Sequence, residues 1–146
     1  MGFLDQAIHA ATGVPRLYTA ALKAGVGPAG AFEVLRISQS ALTTAAAQGR
    51  GVPGRTNAMR HFMWQALLTA RFGRPVAASI ARAQEQGSPD GRDSRVDQHN
   101  NAVGQDHGEA HAEELKTLSI ADALTMLVPV ALEKWESDEL IWVKPH

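Results

Sequence analysis

NAMRHFMWQALL, residues 57–68, is the stretch that decides the fold. At 3.6 residues per turn, its apolar side chains recur at i, i+3 and i+4, which indicates a helix with one covered face. That face comprises Ala58, Met59, Phe62, Met63, Ala66, Leu67 and Ala70. The other side comprises Asn57, His61, Trp64 and Leu68. It therefore offers an amide, an imidazole and an indole at positions where a surface helix has Lys and Glu. We therefore expect a helix over 56–72 that is covered on both sides.

Composition favours a helical globular domain. The 146 residues are 45% apolar and 20% charged, and only 5% are aromatic. Abundant alanine suits close-packed helices better than a sheet, so we expect one all-α domain over 1–146, a bundle of about six helices around helix 56–72. The chain has no cysteine. Disulfides, thiolate metal sites and a cysteine nucleophile are therefore excluded.

Glycine, proline and capping residues divide the chain into elements. Short helices are expected over 3–12 and 15–22. Longer ones follow over 29–47, 56–72 and 75–86, then one from 94 that continues or restarts through 111–118, and one over 120–135. Thr56 is the expected N-cap of the central helix, and Ser94 and Ser119 each open a capping box. Residues 88–93 form the most turn-like segment. The end, 140–143, is either a short strand or an apolar tail.

Charge is unevenly distributed, although the net charge is −1. Residues 50–95 have eight arginines against three acids, and residues 96–146 have three lysines against ten acids. We expect these two segments to dock on each other and do not expect a nucleic-acid surface. No run approaches the roughly 18 apolar residues of a membrane span. Asp5 stands where a signal peptide has positive charge, so an exported protein of this kind would need a signal-independent route or would be a fragment of a longer chain.

Polar groups lie on the inward faces of three successive helices. Antiparallel packing of these helices would bring together His61, Glu85 and Asp97, and a histidine beside a carboxylate is the minimum for general acid–base chemistry. We expect His61 to be the acid or base, with the two carboxylates orienting it or positioning water. The expected substrate contacts, including amide donors to a developing oxyanion, come from Asn57, Arg60, Trp64, Asn100 and Asn101.

Other interpretations of these residues stay open. A buried histidine beside an acid often specifies a fold without turnover. His61, Glu85 and Asp97 could also hold a divalent metal, although no cofactor is expected. A second group, around His107 and His111, has metal-ligand spacing but lacks a His-Glu-x-x-His pattern, and we interpret it as an exposed acidic helix. No Gly-x-Ser-x-Gly motif of a serine hydrolase occurs.

Three motifs in order resemble an uncharacterised family of small helical bacterial domains. They are an Asn57-Ala-x-Arg60-His61-x-x-Trp64 helix, an acid at Glu85, and a second motif, Asp97-x-x-Asn100-Asn101-x-x-Gly104. The resemblance covers a motif core of about 56–108. Such domains look like C-terminal modules of secreted or toxin-like proteins. The family commonly has Ala-His-Glu where this chain has Ala83-Gln84-Glu85, which leaves any role of that histidine unfilled here.

The leading hypothesis is a bacterial effector or toxin-like domain that acts as a hydrolase through His61 and its carboxylates. Its partner would be a cognate inhibitor (immunity) protein, and its substrate is left open among small molecules, lipids and cell-envelope components. The competing hypothesis is a non-catalytic helical interaction module whose buried polar network specifies one packing.

Overall fold

The computed structural model describes residues 14–86 and 91–142, and this part of the chain contains helices and no strand. We number the helices α1 to α7, with α1 over residues 14–23. The others are α2 (Gly27–Gly49), α3 (Arg55–Phe72), α4 (Arg74–Glu85), α5 (Gly91–Ala110), α6 (Ala112–Thr117) and α7 (Ile120–Glu136). The predicted all-α class is confirmed, with seven helices within the described residues against about six expected for the whole chain. The helix expected over 3–12 lies outside the described residues.

The central helix is α3, and it contacts α2, α4, α5, α6 and α7. Every residue from Ala58 to Ala70 is buried except Arg60, which is half-buried. The apolar face packs into the core through side chains such as Met59 and Phe62, which are fully buried. The second face is buried too, against α5 and α2. The prediction that this helix is covered on both sides is therefore confirmed.

Two glycines of α5 let its backbone lie directly on α3. A Cβ added at Gly104 would lie 2.5 Å from the carbonyl oxygen of Phe62, and one at Gly108 would collide with the carbonyl oxygen of Ala66. Glycine costs about 1 kcal/mol relative to alanine inside a helix, and close backbone contact is what offsets that cost here. These positions confirm the expectation that the glycine face of this helix admits another backbone.

A ladder of polar pairs runs along the same contact. Its three rungs are Asn57–Asp97, His61–Asn101 and Gln65–Gln105, with distances of 2.7–2.9 Å between the bonded side-chain atoms. Each rung joins residues 40 positions apart, and successive rungs are one helical turn apart. Because the offset is constant, residue numbers increase in the same direction along both helices, so α3 and α5 are parallel. Antiparallel packing of three successive helices, as expected, also makes the first and the third parallel, so the orientation of α3 and α5 agrees with that expectation.

The helix boundaries correct two predicted caps. Helix α3 begins at Arg55 after Gly54, whose φ of 78° suits glycine, and it has no side-chain cap, so Thr56 is its second residue. Helix α5 already begins at Gly91, which places Ser94 inside the helix and makes 91–93 helical. At α7 the prediction is confirmed, because Ser119 Oγ accepts a hydrogen bond from the Asp122 amide at 3.1 Å.

The basic middle segment does dock on the acidic C-terminal segment at one point. Arg74 donates to Asp106 at 2.8 Å and to Glu109 at 2.7 Å. Residues 140–142 form the packed tail and not the strand, with Leu140 buried. Among the residues that the structure describes, no helix combines the length and apolarity that a membrane crossing requires.

Candidate functional site

His61 lies at the centre of the polar ladder, with 4% of its surface exposed. Its Nδ1 lies 2.8 Å from the carbonyl oxygen Oδ1 of Asn101. Because a carbonyl oxygen only accepts, Nδ1 carries the hydrogen and donates it. The contact therefore fixes both the tautomer and the orientation of the ring, and it leaves the lone pair of a neutral imidazole on Nε2.

The other ring nitrogen faces Asp97. Nε2 of His61 lies 3.4 Å from Oδ1 of Asp97, and the same oxygen accepts a hydrogen bond from Asn57 Nδ2 at 2.9 Å. Burial increases inward along this chain of groups: Asn57 is exposed, the side chain of Asp97 is 20% exposed, and that of His61 is 5% exposed. The carboxylate therefore lies at the edge of the cluster, and the imidazole lies behind it.

This pair is one proton short of a hydrogen bond. With Nδ1–H donated to Asn101, a neutral ring presents a lone pair to a carboxylate oxygen, and those two groups repel. One added proton, on Nε2 or on Asp97, would convert the contact into a hydrogen bond. Burial lowers the pKa of His61 most strongly, the Arg60 charge lowers it further, and the Asp97 charge and the Asn101 hydrogen bond oppose this. The pair therefore lies in a partly dry environment, where the Asp97 charge favours a proton on His61 and burial disfavours it.

Arg60 adds a fixed positive charge beside this pair. It is half-buried on the same helix, one position before His61. Burial lowers the pKa of Arg60, and the nearby Asp97 carboxylate opposes that change. A guanidinium stays protonated under such conditions, so it stabilises negative charge on Asp97 or on a group bound next to it.

Trp64 forms a wall of the cluster. Its indole Nε1–H donates to Ser38 Oγ of α2 at 2.8 Å, and its ring packs edge-on against the His61 ring with centroids 5.8 Å apart. Only 3% of Trp64 is exposed. The substrate contact predicted for this residue is not what the structure provides, because its one polar group is already bonded inside the protein.

The two predicted amide donors also have internal partners. Asn100 forms two hydrogen bonds with the backbone of Ile141, from its Nδ2 to the carbonyl oxygen and from the Ile141 amide to its Oδ1, both at 2.9 Å. Asn101 is 4% exposed and positions the ring of His61. Asn100 therefore holds the backbone of Ile141, and the Oδ1 of Asn101 positions the His61 ring.

Glu85 is not brought to His61. Its Oε2 accepts a hydrogen bond from Gln98 Nε2 at 3.1 Å, and its Oε1 is buried without a partner among the described residues. Within the same residues, no three His, Asp or Glu side chains are grouped as metal ligands. His61, Glu85 and Asp97 therefore do not form the metal-ligand set that was considered.

The second histidine group has other contacts as well. His107 and His111 stack on each other with ring centroids 4.3 Å apart, and His107 also packs on Phe62. Nε2 of His99 lies 2.8 Å from the carbonyl oxygen of Glu139. His107 is half-buried and His111 is exposed. The expectation of an exposed helix therefore holds for His111 and not fully for His107.

Sequence reasoning missed the third rung, Gln65–Gln105. A signal for it was present. Asn57, His61 and Gln65 repeat every four residues on α3, and polar residues at 97, 101 and 105 repeat in the same way on α5. Two polar stripes of equal spacing on helices that pack together indicate that the stripes can face each other.

The fold and the cluster define an all-α domain built around a buried histidine–carboxylate pair. The chain belongs to the family described as Domain of unknown function (DUF6973), whose model matches residues 25–129. The matched range includes α2 to α6 and the whole polar ladder, whereas α1 lies outside it. No curated protein and no solved structure is significantly similar to the chain.

Proposed function

We propose that this domain is a toxin-like bacterial effector with a hydrolase site in which Asp97 and His61 act as one acid–base pair. The observation that supports the proposal is the 3.4 Å approach of Asp97 Oδ1 to His61 Nε2, with the carboxylate partly exposed and the imidazole buried behind it. Perturbed titratable groups of this kind cluster at functional sites.

In this mechanism Asp97 is the group that meets water. An O–H bond of a water molecule breaks, its proton goes to the pair and is shared between Oδ1 and Nε2, and the oxygen bonds to the electrophilic atom of the substrate. The same proton then passes to the leaving group. Asn101 keeps Nδ1 as a donor throughout, and Arg60 stabilises the negative charge that develops beside Asp97. This mechanism gives no catalytic role to Glu85, Trp64 or Asn100.

The effector role is proposed from the resemblance of the Asn-Ala-x-Arg-His-x-x-Trp and Asp-x-x-Asn-Asn-x-x-Gly motifs to toxin-like bacterial modules. An effector of this kind would be neutralised in the producing cell by an inhibitor protein that covers the Asp97 edge of the cluster, since that is where the pair meets solvent.

Expression inside a bacterial cell tests the proposal. The wild-type chain is expected to arrest growth, and Asp97→Asn is expected to abolish the arrest while keeping a cooperative thermal unfolding transition. Asp106→Asn is the matched control, because Asp106 is an exposed carboxylate on the same helix that pairs with Arg74. Growth arrest by a folded Asp97→Asn protein, or no arrest by the wild type, would contradict the proposal.

A second candidate is the non-catalytic interaction module, and a specific observation favours it: His61 is only 4% exposed and both of its ring nitrogens face protein groups. A purely structural network predicts that His61→Gln changes stability and leaves every cellular effect of the chain unchanged. The hydrolase proposal predicts that the same variant stays folded and loses the effect.

A further inference from the structure

A cleft of about 540 Å³ lies between α1 and α4, and it shares no lining residue with the His61 cluster. Small-molecule sites usually have volumes of about 300–1,000 Å³, so the cleft has room for a metabolite-sized ligand. The cleft is open to solvent. Its existence does not depend on the proposed hydrolase activity.

The α1 side of this cleft presents one stripe of helix surface. Arg16, Thr19 and Lys23 line it at intervals of three and four residues, which places them on the same face of the helix. The two cations are seven residues apart, or about 10 Å along the axis. A ligand lying between them could meet both at once.

The α4 side supplies a third cation and a hydroxyl. Arg82 and Ser79 line the cleft, and Arg82 Nη2 donates to Ser79 Oγ at 3.1 Å. That hydrogen bond holds the guanidinium beside the cleft and leaves its remaining N–H groups for another acceptor. The floor is made of small side chains, Ala20 and Ala83 among them.

The charge of the cleft has one sign. Arg16, Lys23 and Arg82 line it together, and among the residues that the structure describes no Asp or Glu lines it. Other arginines of this chain behave differently: Arg71 pairs with Glu33 at 2.6 Å, and Arg74 pairs with Asp106 and Glu109. Three cations gathered around one concave surface repel one another, and a bound anion would remove that cost.

We propose that this cleft binds a small phosphate-bearing ligand. Arginine presents several N–H groups in a planar fork that matches phosphate oxygens, and lysine adds a point charge. The hydroxyls of Thr19 and Ser79 can donate to the same oxygens, and the alanine floor accommodates the carbon part of the ligand. Because the phosphate could be a soluble ester or a lipid headgroup, the test separates the two sources.

The first arm titrates the full chain with glycerol 3-phosphate and follows the backbone amides of Thr19 and Ser79 by heteronuclear NMR. A sodium chloride titration at matched ionic strength shows what screening alone does. The second arm measures co-sedimentation with vesicles containing phosphatidylglycerol and with vesicles of phosphatidylcholine only. Each arm compares the wild type, Arg16→Gln/Arg82→Gln, and the charge-matched control Arg36→Gln/Arg95→Gln, which alters two exposed arginines outside the cleft.

Saturable shifts with glycerol 3-phosphate, weakened at least about tenfold in the cleft variant and retained in the control, would support a soluble ligand. Binding to phosphatidylglycerol vesicles alone, with the same dependence on the cleft arginines, would support the headgroup as the source. Equal losses in the two double variants would show an effect of total charge and overturn the proposal. Absence of binding in both arms would also overturn it. Growth arrest is not a readout here, so failure of this site and failure of the hydrolase proposal are distinguishable.

Discussion

Oδ1 of Asp97 lies 3.4 Å from Nε2 of His61, and the opposite ring nitrogen is held by Asn101 at 2.8 Å. The amide of Asn101 therefore fixes the orientation of the ring through Nδ1, and the carboxylate of Asp97 faces Nε2. A carboxylate at Nδ1 would leave Nε2 for the substrate, as in a serine hydrolase triad. Here the carboxylate occupies the outer side, so any chemistry at this imidazole passes through Asp97.

The first prediction concerns the titration of the His61 ring. The Asp97 charge raises the pKa of His61 against the larger lowering effect of burial, so Asp97→Asn removes a favourable interaction with the imidazolium. We expect the His61 pKa to be lower in this variant than in the wild type. An NMR titration of the imidazole nitrogens measures the change, and Asp106→Asn is expected to leave the value where it is. An unchanged or raised His61 pKa in Asp97→Asn would contradict the 3.4 Å contact.

The second prediction is a loss of stability in acid. Burial, followed by the charges of His111 and Lys134, lowers the pKa of His107 from 6.5 to about 4, and the pKa of His61 is lowered too. At a pH between the pKa of these histidines in the folded protein and their pKa in the unfolded chain, the unfolded chain binds more protons. The contribution of these groups is therefore complete above pH 6.5 and is lost as the pH falls towards about 4.

Urea unfolding of the wild type and of His107→Asn at about pH 8 and about pH 5 measures this effect. The variant is expected to be less stable at the higher pH, because packing on Phe62 changes, and to lose less stability between the two values. Equal pH dependence in the two proteins would show that His107 does not contribute in this way.

The third prediction tests the close approach of α5 to α3. An added Cβ at Gly104 would lie 2.5 Å from the Phe62 carbonyl oxygen and 3.2 Å from the Ala66 amide nitrogen, which are backbone atoms that cannot turn away. Gly104→Ala should therefore destabilise the domain by about 1–3 kcal/mol, although alanine is the better helix former. Urea unfolding measures it. Arg95→Ala, at an exposed position of the same helix, should stay within about 0.5 kcal/mol of the wild type. A more stable Gly104→Ala protein would contradict the close approach.

Spacing within a single helix predicted what lies on its faces. The period of Met59, Phe62 and Met63 fixes the covered side of α3, and the glycines at 104 and 108 fix the side of α5 that meets another backbone. The meeting of His61 with Asp97 followed because both lie on such inward sides. These features depend on local geometry, which the sequence contains directly.

The pairing of helices and the long-range hydrogen-bond partners of side chains could not be predicted in the same way. Two stripes with equal spacing match in several registers, so the residue-by-residue pairing of α3 with α5 could not be predicted from spacing alone. Ser38 is a single hydroxyl on an amphipathic helix, with no pattern that marks it as the partner of Trp64. Asn100 bonds to the backbone of Ile141, and backbone groups have no sequence signature. Glu85 was assigned to the wrong neighbour, because nothing in the sequence distinguishes Gln98 from the other polar residues of α5 as its partner.

The last prediction concerns the tail that Asn100 holds. Asn100→Ala leaves the amide and the carbonyl of Ile141 without their 2.9 Å partners, at a cost of about 1–3 kcal/mol if they stay buried. The segment 138–142 should therefore open more readily. Hydrogen exchange of the Ile141 amide is expected to become at least about tenfold faster, while exchange within α3 changes only by the loss in global stability. Gln98→Ala, which removes an exposed amide from the same helix, is the control. Unchanged exchange at Ile141 in Asn100→Ala would mean that the burial of Leu140, and not the amide, holds the tail in place.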